Sequence, residues 1–326
     1  MTSAFRGCRV LVTGGAGFIG QHLVERLDEL GAYVTSLDVK RAPLPPTVQQ
    51  VQADIRDPEA LTRVLLNISP DYVMHLAANT DIRATRDSLE DVNVKGTEAL
   101  LGALPESVKA ALFVSSQLVV RMGIDPSDGT VFAPHSTYGE TKAAMERIIR
   151  TNCKVPWCIV RPSTIWGPAH PTFPRTVWRY LKLGLYLHPD TGEPVIRSYG
   201  YVANAVSQMI TILAHTQGVA RHRVLYVSDP PTDSLLYLDA FSKALRGRPV
   251  RRVPALTLRA AAQVGQALHR IGVSAPMDLG RYQRMTMDYA VPVGPTLELC
   301  GQPSVTLHEG VRATVEWLRN TYATSK

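Results

Sequence analysis

Tyr138 and Lys142 have the spacing of a proton-transfer pair. They stand four residues apart at the start of a predicted helix, so their side chains lie on one face of that helix. A nearby ammonium favours the phenolate and lowers a phenol pKa that is ordinarily about 10. The pair is therefore predicted to serve as a general acid and base. Ser115 and Ser116 end the preceding predicted strand, so a hydroxyl from one of them is expected to bond the same substrate oxygen.

A glycine-rich turn near the N-terminus predicts a second kind of site. The run TGGAGFIG at 13–20 follows a predicted strand and opens a predicted helix, with glycines at Gly14, Gly17 and Gly20. Glycine permits the tight turn, the approach of a pyrophosphate to the backbone, and close packing of the helix. Glycines that only make a tight turn would give the same pattern, but the strand and helix around them favour dinucleotide binding.

Asp38 indicates which dinucleotide is bound. It ends the second predicted strand, where a carboxylate accepts a hydrogen bond from a ribose 2′-hydroxyl and repels a 2′-phosphate. Lys40 and Arg41 follow closely and could instead hold such a phosphate. The prediction is NAD as the cofactor, with NADP as the alternative.

Strands and helices alternate in the elements that must position these residues. Strands are predicted at 8–13, 33–38, 48–53, 71–78, 110–116, 157–163 and 223–228, and helices at 18–30, 58–67, 89–104 and 138–152. Asp57 and Pro58 have the residue types of a helix N-cap and first turn. This order predicts an α/β fold, a Rossmann-type doubly wound parallel sheet with its ligands at the carboxyl ends of the strands.

The proline-rich second half predicts a smaller C-terminal region for substrate. Residues 1–165 are expected to form the NAD-binding domain, with 197–228 returning to it. The segments 166–196 and 229–326 are expected to bind substrate. Within the latter, 256–271 is predicted to be an amphipathic helix that faces the core, in preference to one that touches a membrane surface.

Composition excludes several classes of protein. The chain has 326 residues, 45% hydrophobic and 19% charged, with a formal net charge of +7. Neither a nucleic-acid surface nor a membrane span is predicted, because the basic run at 246–252 has no interleaved aromatic residues and no apolar run is long enough. Four cysteines without CxxC spacing predict free thiols and no metal site. A cytoplasmic protein is expected.

Together these motifs resemble the extended short-chain dehydrogenase/reductase family. The closest resemblance is to its NAD-dependent nucleotide-sugar epimerase/dehydratase branch, which includes UDP-glucose 4-epimerase. Besides the glycine turn, the matching motifs are DIRD at 54–57, HLAA at 75–78, NVKGT at 93–97, YGETK at 138–142, RPSTIWGP at 161–168 and RSYGYV at 197–202.

The resemblance implies roles for further residues. Ser116, Tyr138 and Lys142 would be the catalytic triad, with Lys142 also holding the nicotinamide ribose. The other implied cofactor contacts are Phe18, Ile19, Asp54, Ile55, Leu76, Ala77, Ala78 and Asn93, of which Asp54 and Ile55 would meet the adenine. The implied substrate contacts are Thr80, Ser116, Thr164, Arg197 and Arg281, with Arg197 on a sugar-nucleotide phosphate. Trp166, Trp178 and Tyr180 could wall the base or the sugar, although core positions are favoured.

The sequence departs from the family pattern next to the catalytic serine. Family members usually carry Tyr-Gly four residues after it, whereas Val120 and Arg121 stand here. A register shifted by one residue would put Gln117 at the catalytic position and remove the hydroxyl.

The function predicted from these features is C4 epimerisation of a UDP-sugar. Dehydration is disfavoured, because Gln117 and Leu118 replace the Asp-Glu pair of the family's dehydratases. Two alternatives stay open: a ketoreductase or dehydrogenase acting on a nucleotide sugar or a steroid-like alcohol, and a dinucleotide-binding sensor or scaffold without turnover. A homodimer formed through the helices at 94–104 and 138–152 is expected.

Overall fold

The first half of the chain alternates strands with helices. The structure is a computed structural model and describes residues 4–81 and 83–323. The elements are β1 (Arg9–Thr13), α1 (Phe18–Glu29), β2 (Tyr33–Asp38), β3 (Gln49–Gln52), α2 (Pro58–Ile68), β4 (Tyr72–His75), α3 (Arg86–Glu90), α4 (Gly96–Ala103), β5 (Ala110–Val114), α5 (Thr137–Asn152) and β6 (Trp157–Pro162). A π-helical turn, Asp91–Lys95, joins α3 to α4, so the helix predicted at 89–104 consists of several pieces.

The second half contains shorter elements. They are β7 (Thr164–Trp166), α6 (Val177–Leu183), β8 (Leu187–Asp190), β9 (Ile196–Arg197), β10 (Tyr199–Tyr201), α7 (Val202–Ala214), β11 (Val224–Val227), β12 (Thr232–Asp233), α8 (Ser234–Arg246), β13 (Arg251–Pro254), α9 (Ala255–Arg270), α10 (Leu279–Thr286), α11 (Gly294–Cys300) and α12 (Leu307–Ala323). In this half β8 pairs with β13 in parallel, and β9 pairs with β12 in antiparallel.

A seven-stranded parallel sheet confirms the predicted Rossmann-type α/β fold. Its strand order is β11-β6-β5-β4-β1-β2-β3, and each adjacent pair is parallel. The strands are apolar because helices cover the sheet; all five residues of β5 are buried. The carboxyl ends of β1, β2, β4 and β5 therefore lie along one edge, which is where the predicted site residues follow the strands.

Local sequence signals set the helix starts as predicted. The Asp57 carboxylate accepts a hydrogen bond from Ala60 N at 3.0 Å, and Pro58 occupies the first turn of α2. The core beneath the sheet joins Leu11 of β1 and Phe113 of β5, with α5 contributing Met145. These contacts fix the position of α5, which carries the predicted proton-transfer pair.

The described chain divides into two compact units. The first comprises the residues through Ile165 together with Val202–Asp229 and Pro292–Ser304, and the second comprises Trp166–Tyr201, Pro230–Val291 and the residues from Val305 onward. Two short segments depart from the predicted division: 197–201 belongs to the second unit and 292–304 to the first. The latter joins the first unit because Thr296 Oγ1 donates to Tyr226 O at 2.6 Å, next to the central sheet.

An aromatic cluster forms the core of the second unit. Trp166 and Trp178 are each 1% exposed and pack around Phe241. Both therefore lie in the core, which was the favoured interpretation of these two residues. By contrast, α9 buries only Leu258, Ala262 and Gly265. The helix predicted at 256–271 therefore faces the core as predicted, but only a narrow face of it is buried.

The described residues also bear on two other expectations, which concern membrane-spanning helices and the state of the cysteines. No helix among residues 4–81 and 83–323 combines the length and apolarity needed to cross a bilayer. All four cysteines are free thiols.

Candidate active site

The glycine turn has the shape of a cradle in which side chains have no room. Gly14 has a φ of +73°, and a Cβ built on it would collide with the backbone of Leu76 and Ala77. A Cβ on Gly20 would collide with the carbonyl oxygen of Gly14. Gly17 is the N-cap of α1 and has no side-chain capping hydrogen bond. The backbone amides at this helix start thus suit a pyrophosphate.

Asp38 lies beside the glycine turn, as predicted from its place at the end of β2. One carboxylate oxygen accepts from Ala16 N at 3.0 Å and the other from Lys40 N at 3.3 Å. Phe18 and Ile19 form the first turn of α1, which contains no acidic residue. The glycine cradle, the uncapped helix start and the Asp38 carboxylate together fit a dinucleotide with a free ribose 2′-hydroxyl.

Asp54 and Ile55 lie in a turn after β3. The Asp54 carboxylate binds the Arg56 guanidinium, with Nη2 to Oδ2 at 2.6 Å, and this hydrogen bond lowers the pKa of Asp54. The Ile55 side chain is 4% exposed and packs against Gly96 in the core. Only its backbone is therefore left for the predicted contact with an adenine.

The segment after β4 packs directly on the glycine turn. Leu76, Ala77 and Ala78 are partly buried there, and Leu76 N donates to Thr13 O at 3.0 Å. His75, beneath them, has one ring nitrogen 2.7 Å from the Thr13 hydroxyl and the other 3.0 Å from the hydroxyl of Thr97. Burial lowers the pKa of His75 to about 3, so its ring is neutral near pH 7.

The Asn93 side chain makes its hydrogen bonds inside the protein. It is fully buried, accepts from Asn79 N at 2.8 Å, and donates to Asn79 O and to Thr141 Oγ1, both at 3.1 Å. With these bonds made inside the protein, Asn93 fixes the loop around residue 79 and holds it to α5. Thr80 is exposed at the same loop.

The N-terminal end of α5 carries the catalytic candidates. Ser136 caps the helix, its hydroxyl accepting from Gly139 N at 3.2 Å. A Cβ on Gly139 would collide with Leu118 O, so only glycine lets α5 begin this close to the turn after β5. That approach brings Tyr138 to Ser116.

Ser116 is the hydroxyl that meets Tyr138. It accepts from Leu118 N at 3.1 Å, and its hydrogen bond to Tyr138 lowers the phenol pKa against the larger effect of burial. Ser115 instead donates to a buried carboxylate of α5 at 2.5 Å. Gln117 donates to Thr164 Oγ1 at 3.3 Å. The geometry therefore puts Ser116, and neither neighbour, beside the phenol.

The pKa of Tyr138 shifts in the direction opposite to the prediction. Burial raises it to about 12, because Tyr138 loses hydration and the ammonium of Lys142 is directed elsewhere. Lys142 is 2% exposed, and its Nζ donates to Val114 O at 2.8 Å. Burial lowers the pKa of Lys142 to about 8, and the charge of Glu146 opposes that shift. In this arrangement Tyr138 keeps its proton near neutral pH.

A buried ion pair behind this site was missed from the sequence. Glu146 and Arg161 are both 0% exposed, with Oε1 of Glu146 accepting from Arg161 Nε at 2.9 Å and from the Ser115 hydroxyl. Arg161 also donates to Tyr226 OH at 3.1 Å and to Gly129 O at 2.8 Å. One feature of the sequence points to Glu146. Tyr138, Lys142 and Glu146 are spaced four residues apart, so they lie on one face of the helix.

Two arginines of the second unit donate hydrogen bonds to backbone carbonyl oxygens. Arg197 donates to Arg284 O at 2.5 Å, and Arg281 donates to Pro276 O. Burial raises the pKa of Tyr186, and the positive charges of both Arg197 and Arg281 oppose that shift. Neither arginine pairs with a carboxylate among the ion pairs of the described residues. Tyr186 had not been identified from the sequence.

Comparison with known proteins adds the family. Residues 10–227 match the model of the NAD dependent epimerase/dehydratase family. The 3 beta-hydroxysteroid dehydrogenase/Delta 5→4-isomerase of Mycobacterium tuberculosis is 30% identical over 293 residues, which cover 82% of this chain and 78% of that protein. The UDP-glucose 4-epimerase of Halalkalibacterium halodurans is 36% identical over 160 residues, 46% of each chain.

Structural comparison gives the same fold. The UDP-glucose 4-epimerase of Thermus thermophilus, solved with NAD, superposes with a TM-score of 0.71 at 24% identity and covers 95% of this chain and 99% of its own. The matching family is described as NAD dependent, so NAD is the dinucleotide for the glycine cradle. With the family match spanning well over half of the sequence, the chain belongs to the NAD-dependent epimerase/dehydratase family of extended short-chain dehydrogenases/reductases.

Proposed function

We propose that this protein is an NAD-dependent C4 epimerase of a nucleotide-diphosphate sugar, with UDP as the nucleotide. Its catalytic residues would be Ser116, Tyr138 and Lys142. The reaction inverts one hydroxyl-bearing carbon with no net oxidation. It needs proton transfer at a single oxygen and a way to hold a dianionic diphosphate.

The observation that carries the proposal is the arginine pair of the second unit. Neither Arg197 nor Arg281 has a carboxylate partner in the ion pairs of the described residues, and the positive charges of both oppose the burial that raises the pKa of Tyr186. Guanidinium groups bind phosphate oxygens in a planar, bidentate manner. A neutral substrate would leave two positive charges without a counter-ion, whereas a diphosphate supplies it.

The catalytic residues would act on one substrate oxygen. NAD, when bound, supplies the hydride acceptor and donor at the sugar carbon. Tyr138 and Ser116 would bind the hydroxyl of that carbon, since their own hydroxyls are already joined by a hydrogen bond. Tyr138 would act as a phenolate, stabilised by the Lys142 ammonium. It would take the proton when the alcohol becomes a ketone, stay a neutral phenol while the ketone is present, and return the proton when the ketone is reduced. Because burial keeps Tyr138 protonated near neutral pH, its own proton would leave the site before the first step.

The proposed NAD contacts are supported by the glycine cradle and by the position of Asp38 beside it. The amides at Gly17, Phe18 and Ile19 would bind the pyrophosphate, and Asp38 would accept from the adenosine ribose. Other proposed cofactor contacts are Gly14, Gly20, Asp54, the Ile55 backbone, Leu76, Ala77 and Ala78. Thr80 and Thr164 remain proposed substrate contacts.

The decisive experiment supplies the protein with only a trace of NAD. A panel of UDP-hexoses and UDP-uronates is incubated with it, and products are followed by NMR. We expect a C4-inverted sugar in molar excess over the cofactor. Tyr138→Phe should abolish the product, and Arg197→Met should raise KM with little effect on kcat. Arg221→Met, an exposed arginine of the first unit, is the matched control. No turnover of any sugar with NAD bound would refute the proposal.

A second candidate, oxidation of a 3β-hydroxysteroid, is favoured by one observation. The steroid dehydrogenase of Mycobacterium tuberculosis aligns over 82% of the chain, whereas the bacterial epimerase aligns over 46%. Substrate pockets of this fold involve the part outside the dinucleotide domain, so the longer match bears on specificity. The assay offers a 3β-hydroxysteroid with stoichiometric NAD and follows absorbance of the reduced cofactor. Turnover here, with none on sugars, would replace the epimerase proposal.

A homodimer through α4 and α5 is also part of the proposal. Size-exclusion chromatography with light scattering would test it. A monomer mass at micromolar concentration would contradict it.

A further inference from the structure

Two stretches of the second unit carry positive charge and no carboxylate. Residues 166–189 contain three Lys and Arg residues and no Asp or Glu, and residues 240–277 contain seven and again none. They are adjacent in the fold, because β8 pairs with β13 and Leu187 lies opposite Arg251 in the register. Asp190 and Asp239, just outside the two stretches, pair with Arg252 and Lys243, so the remaining cations form the net positive charge of this part of the unit.

The same stretches expose large apolar side chains. Of the fifteen exposed large hydrophobic side chains among the described residues, eight lie here, although the two stretches are less than a fifth of the sequence. In the first stretch they are Tyr180, Leu183, Leu185 and Leu187, and in the second they are Leu256, Val264, Ile271 and Val273. Exposed apolar side chains mark an interaction site where they are contiguous on the surface.

The helix α9 shows how the apolar residues are arranged. Leu256, Ala260, Val264, Ala267 and Ile271 follow one another at intervals of three or four residues, and all are exposed. Side chains at that spacing form one stripe along a helix. The stripe is the outward face, because the helix buries Leu258, Ala262 and Gly265 instead.

Cations border this stripe. Arg259 and Arg270 lie one position before Ala260 and Ile271, so they flank the stripe on one side of α9, and both are exposed. Arg175, Arg179 and Lys182 are exposed on and beside α6. None of these five cations takes part in an ion pair among the described residues. Their charges are thus available to a partner.

We infer that this face, termed the cationic apolar surface and consisting of the exposed residues of 175–187 and 248–273, docks on an anionic lipid bilayer. A helix with an apolar stripe flanked by cations lies in the interface of such a membrane, with its apolar face among the acyl chains and its cations at the headgroups. Nucleic acid matches the charge but not the stripe, since it offers no apolar surface to Leu256, Val264 and Ile271. The inference is independent of which substrate the active site takes.

The test is flotation of the whole protein with vesicles. Vesicles of phosphatidylcholine and phosphatidylglycerol in equal parts are compared with vesicles of phosphatidylcholine alone. We expect binding to the anionic vesicles that weakens with added salt. Arg259→Gln/Arg270→Gln should weaken it about thirtyfold, since each cation near such a surface contributes about a fivefold factor. Leu256→Ser/Val264→Ser should weaken it about tenfold.

Matched controls change the same residue types elsewhere. Arg6→Gln/Arg221→Gln removes two exposed cations of the first unit, and Leu66→Ser/Val219→Ser removes two exposed apolar side chains there. Both controls should bind vesicles like the parent protein.

Several outcomes would overturn the inference. One is absence of binding to anionic vesicles, and another is equal weakening by the controls. Binding of a single-stranded RNA that Leu256→Ser/Val264→Ser leaves unchanged, without vesicle binding, would assign the charge to nucleic acid. A dimer that the same apolar variant dissociates, again without vesicle binding, would assign the face to a second copy of this chain.

Discussion

Replacing Glu146 with Gln should weaken the fold and the active site together. The substitution keeps the shape of the side chain but leaves the Arg161 guanidinium buried without its carboxylate. Removing one partner of a buried pair costs about 3 to 5 kcal/mol. Arg161 keeps Gly129 O and Tyr226 OH as acceptors, and the Phe132 ring lies 5.4 Å away. We therefore expect a loss of about 3 kcal/mol, the lower end of that range.

The same substitution should alter proton transfer. The negative charge of Glu146 raises the pKa of Lys142, which burial lowers to about 8. Without that charge the Lys142 pKa falls further, and less of the lysine is protonated at neutral pH. The limb of the pH profile of kcat/KM that reports Lys142 should move to lower pH in Glu146→Gln.

Urea unfolding and the pH profile are the two assays. Glu140→Gln is the control, because Glu140 lies on the same helix in an exposed ion pair with Arg86, and such pairs contribute about 1 kcal/mol or less. Glu146→Gln/Arg161→Met should be more stable than Glu146→Gln alone, since it removes the unpaired charge. A loss below about 1 kcal/mol in Glu146→Gln, or a double variant less stable than the single one, would refute the reasoning.

Three further predictions follow from the cofactor turn and its surroundings. Gly20→Ala should abolish NAD binding in isothermal titration, because its methyl group would collide with Gly14 O. The control Gly102→Ala, where the added methyl group has open space, should bind NAD normally. Normal NAD binding by Gly20→Ala would contradict the proposed glycine cradle. Asp38→Asn should reduce the preference for NAD over NADP at least about tenfold, as a charged acceptor is worth about 1.5–3 kcal/mol, and an unchanged preference would exclude Asp38 from recognising the ribose. His75 should make the fold acid-sensitive: its folded pKa, about 3, lies below the unfolded value, about 6.5. The unfolded state therefore binds more protons below pH 6.5, and stability falls by about 2 kcal/mol from this group between pH 7 and pH 5. The free energy of unfolding of His75→Asn in urea should not show this loss between pH 7 and pH 5. The same pH dependence in His75→Asn as in the parent protein would rule out the contribution of His75.

Much of the fold was predictable because its signals are local. Turn glycines, a strand before them and a helix after them stand within a few residues, and Asp57 caps α2 from three residues away. The spacing of Tyr138 and Lys142 likewise needs only a helix. These features identified the dinucleotide site and the proton-transfer pair.

Other features of the site depend on contacts between residues that are far apart in the sequence. Ser115 bonds Glu146 across 31 residues, which leaves Ser116 for Tyr138. Asn93 is bound by residues of a loop and of α5. Such pairings depend on how the elements pack, which the sequence pattern does not specify.

By itself, then, the sequence determined the sheet, the cofactor turn and the spacing of the catalytic residues. Only the tertiary structure decided the direction of the Tyr138 pKa shift, the buried Glu146–Arg161 ion pair, and the outward apolar stripe of α9. The physical reason is that burial and charge environment are properties of a packed site. The spacing of apolar residues along the sequence indicates that a helix has an apolar face. Only the packing of the helix determines whether that face meets the core or the solvent.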